Sequence, residues 1–158
     1  RGFGPTAPGV FHTPFADCYQ CPLGLRPDDC EAECLRFLED QVFVHLVSPE
    51  EVAAIVVEPI QGEGGYLVPP AQFHQRLREL TRRHGILLVI DEVQSGIGRT
   101  GKMFACELEG VEPDVLLTAK GLGSGMPIGA IIAGNAIPSF LDERGRELVL
   151  KRRAWSHF

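Results

Sequence analysis

Three short apolar runs, Ala53 to Val57, Ile86 to Ile90 and Val115 to Leu117, stand out along the chain, each rich in Val, Ile and Leu. Continuous apolar runs of this length fit strands covered on both faces, as in parallel sheets. Between the first two lies PPAQFHQRLRELTRRHG, where Phe73, Leu77 and Leu80 recur at helical spacing and Gly85 stands where a helix stops. This pattern predicts a βαβ unit. A shorter link follows, with a helical piece over Lys102 to Glu109 and VEPD as a turn into the third run. After a bend of glycines, PIGAIIAG reads as a further strand. Upstream, Asp28 or Asp29 caps a predicted helix through Cys34 and Phe37 to about Val44, with apolar positions at Leu35, Leu38 and Val42. Residues 1–29 contain many Gly and Pro and no sustained period, which predicts an extended loop laid over a larger body. The expected architecture is α/β, a mostly parallel sheet with flanking helices, and such sheets place their sites at the carboxyl ends of the strands.

Those ends are EPIQGEGG, DEVQSGIGRTG and TAKGLGSGMP, so each run finishes on an ionisable group: Glu58, Asp91 and Lys120. In a parallel sheet the three share one edge. A plain ion pair between Asp91 and Lys120 is the simplest use of them. The glycines argue for more, because a structural salt bridge does not need three loops that let backbone approach a ligand closely. Gly96, Gly98 and Gly101 spell GIGRTG, which satisfies the dinucleotide-binding pattern by letter. That motif requires its first glycine directly after the strand and an acidic residue about twenty positions on that ends the next strand. Here Asp91 to Ser95 intervene, and Glu112 and Asp114 precede the next strand instead. A lysine and an aspartate fit pyridoxal phosphate (PLP) better: the lysine bonds its aldehyde as an imine, and the carboxylate keeps the pyridine nitrogen protonated. Lys120 and Asp91 match those roles, with apolar strands expected to give the lysine a dry surrounding.

The 158 residues are 44% hydrophobic and 23% charged, the balance of a soluble globular protein with one core. A net charge of −6 gives no basic field for nucleic acid, and the one basic cluster is Lys151 to Arg153. The apolar runs are too short to cross a bilayer and no signal peptide precedes them, so a cytoplasmic chain is expected. It opens on Arg1 and closes on WSHF without a cap or turn signal, as a fragment of something longer would. Four of five cysteines cluster as Cys18, Cys21, Cys30 and Cys34. CxxC and CxxxC could ligate zinc, but the gap between the pairs is short for a finger or ribbon, and reduced thiols with no metal are the preferred reading. His12, His45, His74 and His84 show no ligand spacing.

EPIQGEGG, VIDEVQSGIGRTG and TAKGLGSGMPIGA, in this order and at these intervals, closely resemble the class III (ω-amino-acid) aminotransferases that use PLP. The group includes 4-aminobutyrate, acetylornithine and ornithine aminotransferases. RGFGPTAPGVFHTPFADCYQCPLG is similar to the segment before these motifs in the aminobutyrate branch, and the match runs from about Arg1 to Ile137. The resemblance implies the large domain of the PLP-dependent transferase fold (fold type I). By it Lys120 forms the Schiff base with PLP, Asp91 pairs with the pyridine nitrogen and Gln94 hydrogen-bonds the ring's phenolic oxygen. Glu63 is the gate residue that faces the substrate, Glu58 supports its strand end, and Arg99 lies in a GRTG turn. The family's phosphate-binding loop lies upstream of this stretch and its small domain downstream. Residues 1–158 are therefore expected to be part of the large domain: a loop segment 1–29, a βα core 30–137 and a divergent tail 138–158. The implied reaction is transamination from a small-molecule ω-amino acid or amine to a keto acid such as 2-oxoglutarate, by a homodimer. A racemase or decarboxylase on the same scaffold, or a noncatalytic fragment, are the alternatives.

Overall fold

The computed structural model describes residues 4, 7–26, 30 and 32–134. The cap expected at Asp28 or Asp29 and the tail 138–158 lie outside the described residues. Four strands, β1 (Ala54–Val57), β2 (Leu87–Asp91), β3 (Val115–Thr118) and β4 (Ala130–Ala133), form one sheet in the order β1-β2-β3-β4. The first three are parallel, and β4 returns antiparallel to β3. The glycine bend after β3 permits that reversal, since antiparallel neighbours need only a short connection whereas parallel ones need a crossover. The crossover from β1 to β2 contains α3 (Phe73–His84), preceded in the chain by α1 (Glu33–Phe37), a π-helical stretch Leu38–Val42 and α2 (Phe43–His45).

Helix α3 lies where the periodicity put it. Phe73, Leu77 and Leu80 are buried, and Arg82, Arg83 and His84 occupy the last turn, where positive charge suits the helix dipole. Gly85 adopts φ 68°, and the N–H of Ile86 donates to the Thr81 carbonyl at 2.9 Å, closing the end as glycine-terminated helices do. The link 102–109 departs from expectation, because only Ala105–Leu108 is helical and as a single 3₁₀ turn. The N–H of Cys106 donates to Glu92 Oε1 at 2.8 Å, and the carboxylate of Glu107 folds back on the N–H of Phe104. Both donors serve side chains, and Gly110 at φ 63° follows directly.

Burial alternates along β2 and β3 instead of being continuous. Leu88 and Ile90 are fully buried, and with Phe73, Leu77, Leu35 and Leu116 they form the main core on the helix side. On the other side Val56 is 63% exposed, so the expectation of strands covered on both faces does not hold among the described residues. Helices α1 and α3 pack on the face that carries Leu88 and Ile90. One polar hub ties the layers: Asp114 takes both Nη atoms of Arg78 at 2.5 and 2.8 Å and the Leu88 N–H at 2.8 Å. Its own N–H donates to the Leu88 carbonyl, and its carbonyl accepts the N–H of Gly134. The helix α3, the start of β2, the entry to β3 and the end of β4 are thus joined at one residue. Burial by itself would push Asp114's carboxyl up; the Arg78 fork, the Leu88 N–H and the charges of Arg78 and Arg82 together hold it below its usual range.

Candidate active site

Parallel register brings the strand ends together. Val57 pairs with Ile90 and Asp91 with Leu117, so Glu58, Asp91 and the segment leading to Lys120 emerge side by side. Glu58 Oε2 accepts the N–H of Gly62 at 2.9 Å, closing the loop that follows β1. Asp91 is half-buried, and its Oδ1 accepts the N–H of Val93 at 2.9 Å, turning the chain as it leaves β2. Lys120 begins a 3₁₀ turn, Lys120–Gly123, with φ 43°. A non-glycine residue held at positive φ is strained by about 1 kcal/mol or more, and such strain collects at functional sites.

Three loops meet at Gln94. Lys120 Nζ donates to Gln94 Oε1. On its other side Gln94 lies against Gly62, where an added Cβ would stand 2.6 Å from Gln94 Cγ and would force the Gln94 side chain to shift. Lys120 is exposed, not dry, because the face of the sheet beside it is uncovered. No ion pair among the described residues joins it to Asp91. The structure therefore brings Lys120 and Gln94 into contact and sets Asp91 on the same edge. Glu63 lies apart, exposed in a loop whose base is a Gln61–Leu67 bridge, with no hydrogen bond among the described residues. GIGRTG forms a chain of turns and opens no helix, and Arg99 is exposed.

Two buried acid partnerships were not visible in the sequence. Glu92 is fully buried behind Asp91, where its neighbour in DE gave no sign of which acid would face inward. His74 is buried, with Nδ1 2.9 Å from Glu109 Oε1, 35 positions on. The cysteines divide by environment. Cys18, Cys21, Cys30 and Cys34 line one crevice of about 10 Å³ and are all free. No three His, Cys, Asp or Glu among the described residues are placed to hold a metal ion. Burial, then Cys30, pushes the Cys34 thiol up to about 11; burial, then the Glu92 carboxylate, pushes Cys106 up to about 12. At pH 8 the Cys106 thiolate is then about one part in 10,000. Iodoacetamide at that pH is expected to leave Cys106 unmodified in the folded chain and to modify it fully in urea, as read by peptide mass mapping.

A mostly parallel sheet with flanking helices is the fold of the PLP-dependent transaminases of fold type I. An amine transaminase from an uncultivated Pseudomonas species, solved in its PLP-bound (internal aldimine) form, superposes with a TM-score of 0.77 at 40% identity, over 85% of this chain and 30% of that one. The Aminotransferase class-III profile matches residues 1–146, and the chain belongs to that family. It is 43% identical over 141 residues to the leucine/methionine racemase of Thermococcus litoralis, covering 89% of this chain and 32% of that protein. It is 40% identical over 131 residues to the "Probable 4-aminobutyrate aminotransferase" of Bacillus subtilis, covering 83% and 30%. The chain thus spans about a third of the length of these relatives. Class III aminotransferases use PLP. No helix among the described residues is long and apolar enough to cross a membrane.

Proposed function

We propose that residues 1–158 are the central part of the large domain of a PLP-dependent aminotransferase. The enzyme moves an amino group from an ω-amino acid or related amine, 4-aminobutyrate- or acetylornithine-like, to a keto acid such as 2-oxoglutarate, and works as a homodimer. One observation carries the reading: the amine of Lys120 meets the amide of Gln94 at the edge where β2 ends in Asp91. Three groups of different chemistry on one edge fit the ring end of the cofactor, and Gly62 leaves the space that Gln94 occupies. When bound, PLP supplies an electron sink for the bonds at the substrate's reacting carbon. Lys120 would hold the cofactor through its amine, condensing with the aldehyde with loss of water, and its Nζ would take up and return the proton of the substrate's reacting carbon. Asp91 would hold the ring nitrogen through its carboxylate, and Gln94 would hold the ring oxygen through its amide. Glu63, on its exposed loop, faces the substrate.

The test is to add PLP to the purified chain, follow the visible absorbance, reduce with borohydride and map the modified peptide. Label on Lys120 alone is the expected result. No label, or label scattered over Lys102 and Lys151, overturns the reading. A second reaction, racemisation of an amino acid, is favoured by the 43% identity to the Thermococcus litoralis racemase and uses the same Lys120. Chiral chromatography separates the two: inversion of one enantiomer without consumption of keto acid marks a racemase.

A further inference from the structure

We infer that Glu92, which does not reach the site edge itself, is the positioning residue that holds Asp91 and Gln94 in place. The inference rests on the proposed function for what those two residues do, and on geometry alone for how they are held. Successive residues of an extended chain point to opposite sides, so with Asp91 toward the site edge Glu92 points into the protein. There it is 0% exposed, and both carboxylate oxygens are in use. Oε1 accepts the N–H of Cys106 at 2.8 Å, and Oε2 accepts the hydroxyl of Ser95 at 2.5 Å. The backbone is gripped equally: Glu92 N–H donates to the Leu117 carbonyl on β3 at 2.8 Å, and its carbonyl accepts the N–H of Gly96 at 2.9 Å.

The turn 91–96 is thus clamped from behind at its second, fifth and sixth residues, while its first and fourth, Asp91 and Gln94, face the site. Gly96 completes the clamp, because a Cβ there would stand 2.8 Å from the Glu92 carbonyl oxygen. No ion-pair partner of Glu92 exists among the described residues. Desolvating a carboxylate without a countercharge is costly, and a neutral residue could fill a plain turn, so the burial of this group points to a geometric demand. That demand is the fixed spacing of two side chains on one short turn, with the Ala105–Leu108 turn as the outside anchor.

The test compares Glu92→Gln and Glu92→Ala with the parent chain in two measurements. Amide hydrogen exchange of Val93, whose N–H bonds Asp91 Oδ1, is read without PLP, well below each chain's unfolding temperature. The pH midpoint of the visible absorbance is read with PLP bound. Glutamine keeps an oxygen for Cys106 and an amide N–H that can donate to the Ser95 hydroxyl oxygen, and is expected to leave both readings near the parent's. Alanine is expected to speed Val93 exchange by about tenfold or more and to move the midpoint. A lowered unfolding temperature with both readings unchanged would show a merely structural Glu92 and overturn the inference. If Glu92→Ala does not fold, Ser95→Ala removes one of the two bonds and is expected to shift Val93 exchange in the same direction; no shift overturns it. If the parent chain takes up no PLP, the functional reading fails, and the exchange measurement still decides the role of Glu92.

Discussion

Lys120→Ala is expected to abolish covalent retention of PLP. After borohydride reduction no cofactor-bearing peptide should remain, and turnover should fall by at least the 10²–10⁴-fold that a positioned proton-transfer group contributes. The expectation follows from where the amine sits. Lys120 begins the turn after β3 at φ 43°, is exposed, and donates to Gln94 Oε1. Lys102 lies in the 102–109 link, at the far end of the turns that follow Gln94, and has no such partner among the described residues. Lys120→Arg gives the sharper comparison, since it keeps a cation able to donate to Gln94 but has no nucleophilic amine. It should keep the chain folded, with an unfolding temperature near the parent's, and still carry no label. Label equal to the parent's in either variant would remove Lys120 from the chemistry.

Asp114→Ala is expected to lower the unfolding free energy by about 3–4 kcal/mol in urea titrations. The Arg78–Asp114 side chains are only 13% and 18% exposed, so alanine would strand a guanidinium and the Leu88 N–H away from water. The same hub makes stability depend on pH. The folded carboxyl lies below its usual range, so its contribution is present above the unfolded value near 4 and is lost as pH falls through the folded value. Asp114→Asn should therefore be less stable than the parent at pH 7, and the gap between the two urea midpoints should narrow as pH drops below about 4. A constant gap from pH 7 to pH 2 would show that the carboxylate charge contributes nothing.

The strands and α3 were legible in the chain because short-range pattern determines them. Phe73, Leu77 and Leu80 must share a face, and Gly85 can take the left-handed conformation that ends the helix. The 102–109 link forms a single 3₁₀ turn where its local sequence predicts a helix, because the N–H of Cys106 is claimed by Glu92, 14 positions earlier, a competition that no local period records. Glu92 and Asp91 look alike as adjacent acids, and only packing separates the one fully buried from the one at the edge. The dry lysine was expected from the apolarity of its strand, yet the exposure of Lys120 depends on what covers the neighbouring face.

By itself, then, the sequence determined which residues become strands, where the main helix stops, and that two carboxylates and an amine, Glu58, Asp91 and Lys120, leave the sheet at its carboxyl edge. Periodicity, glycine conformation and parallel register suffice for that, since each acts over a few residues or one crossover. Only the tertiary structure decided that Lys120 reaches Gln94, that Gly62 makes room for it, and that Glu92 clamps the turn from behind. Those contacts join residues 14 to 32 positions apart, and which of them form is settled by how the loops pack against one another in three dimensions.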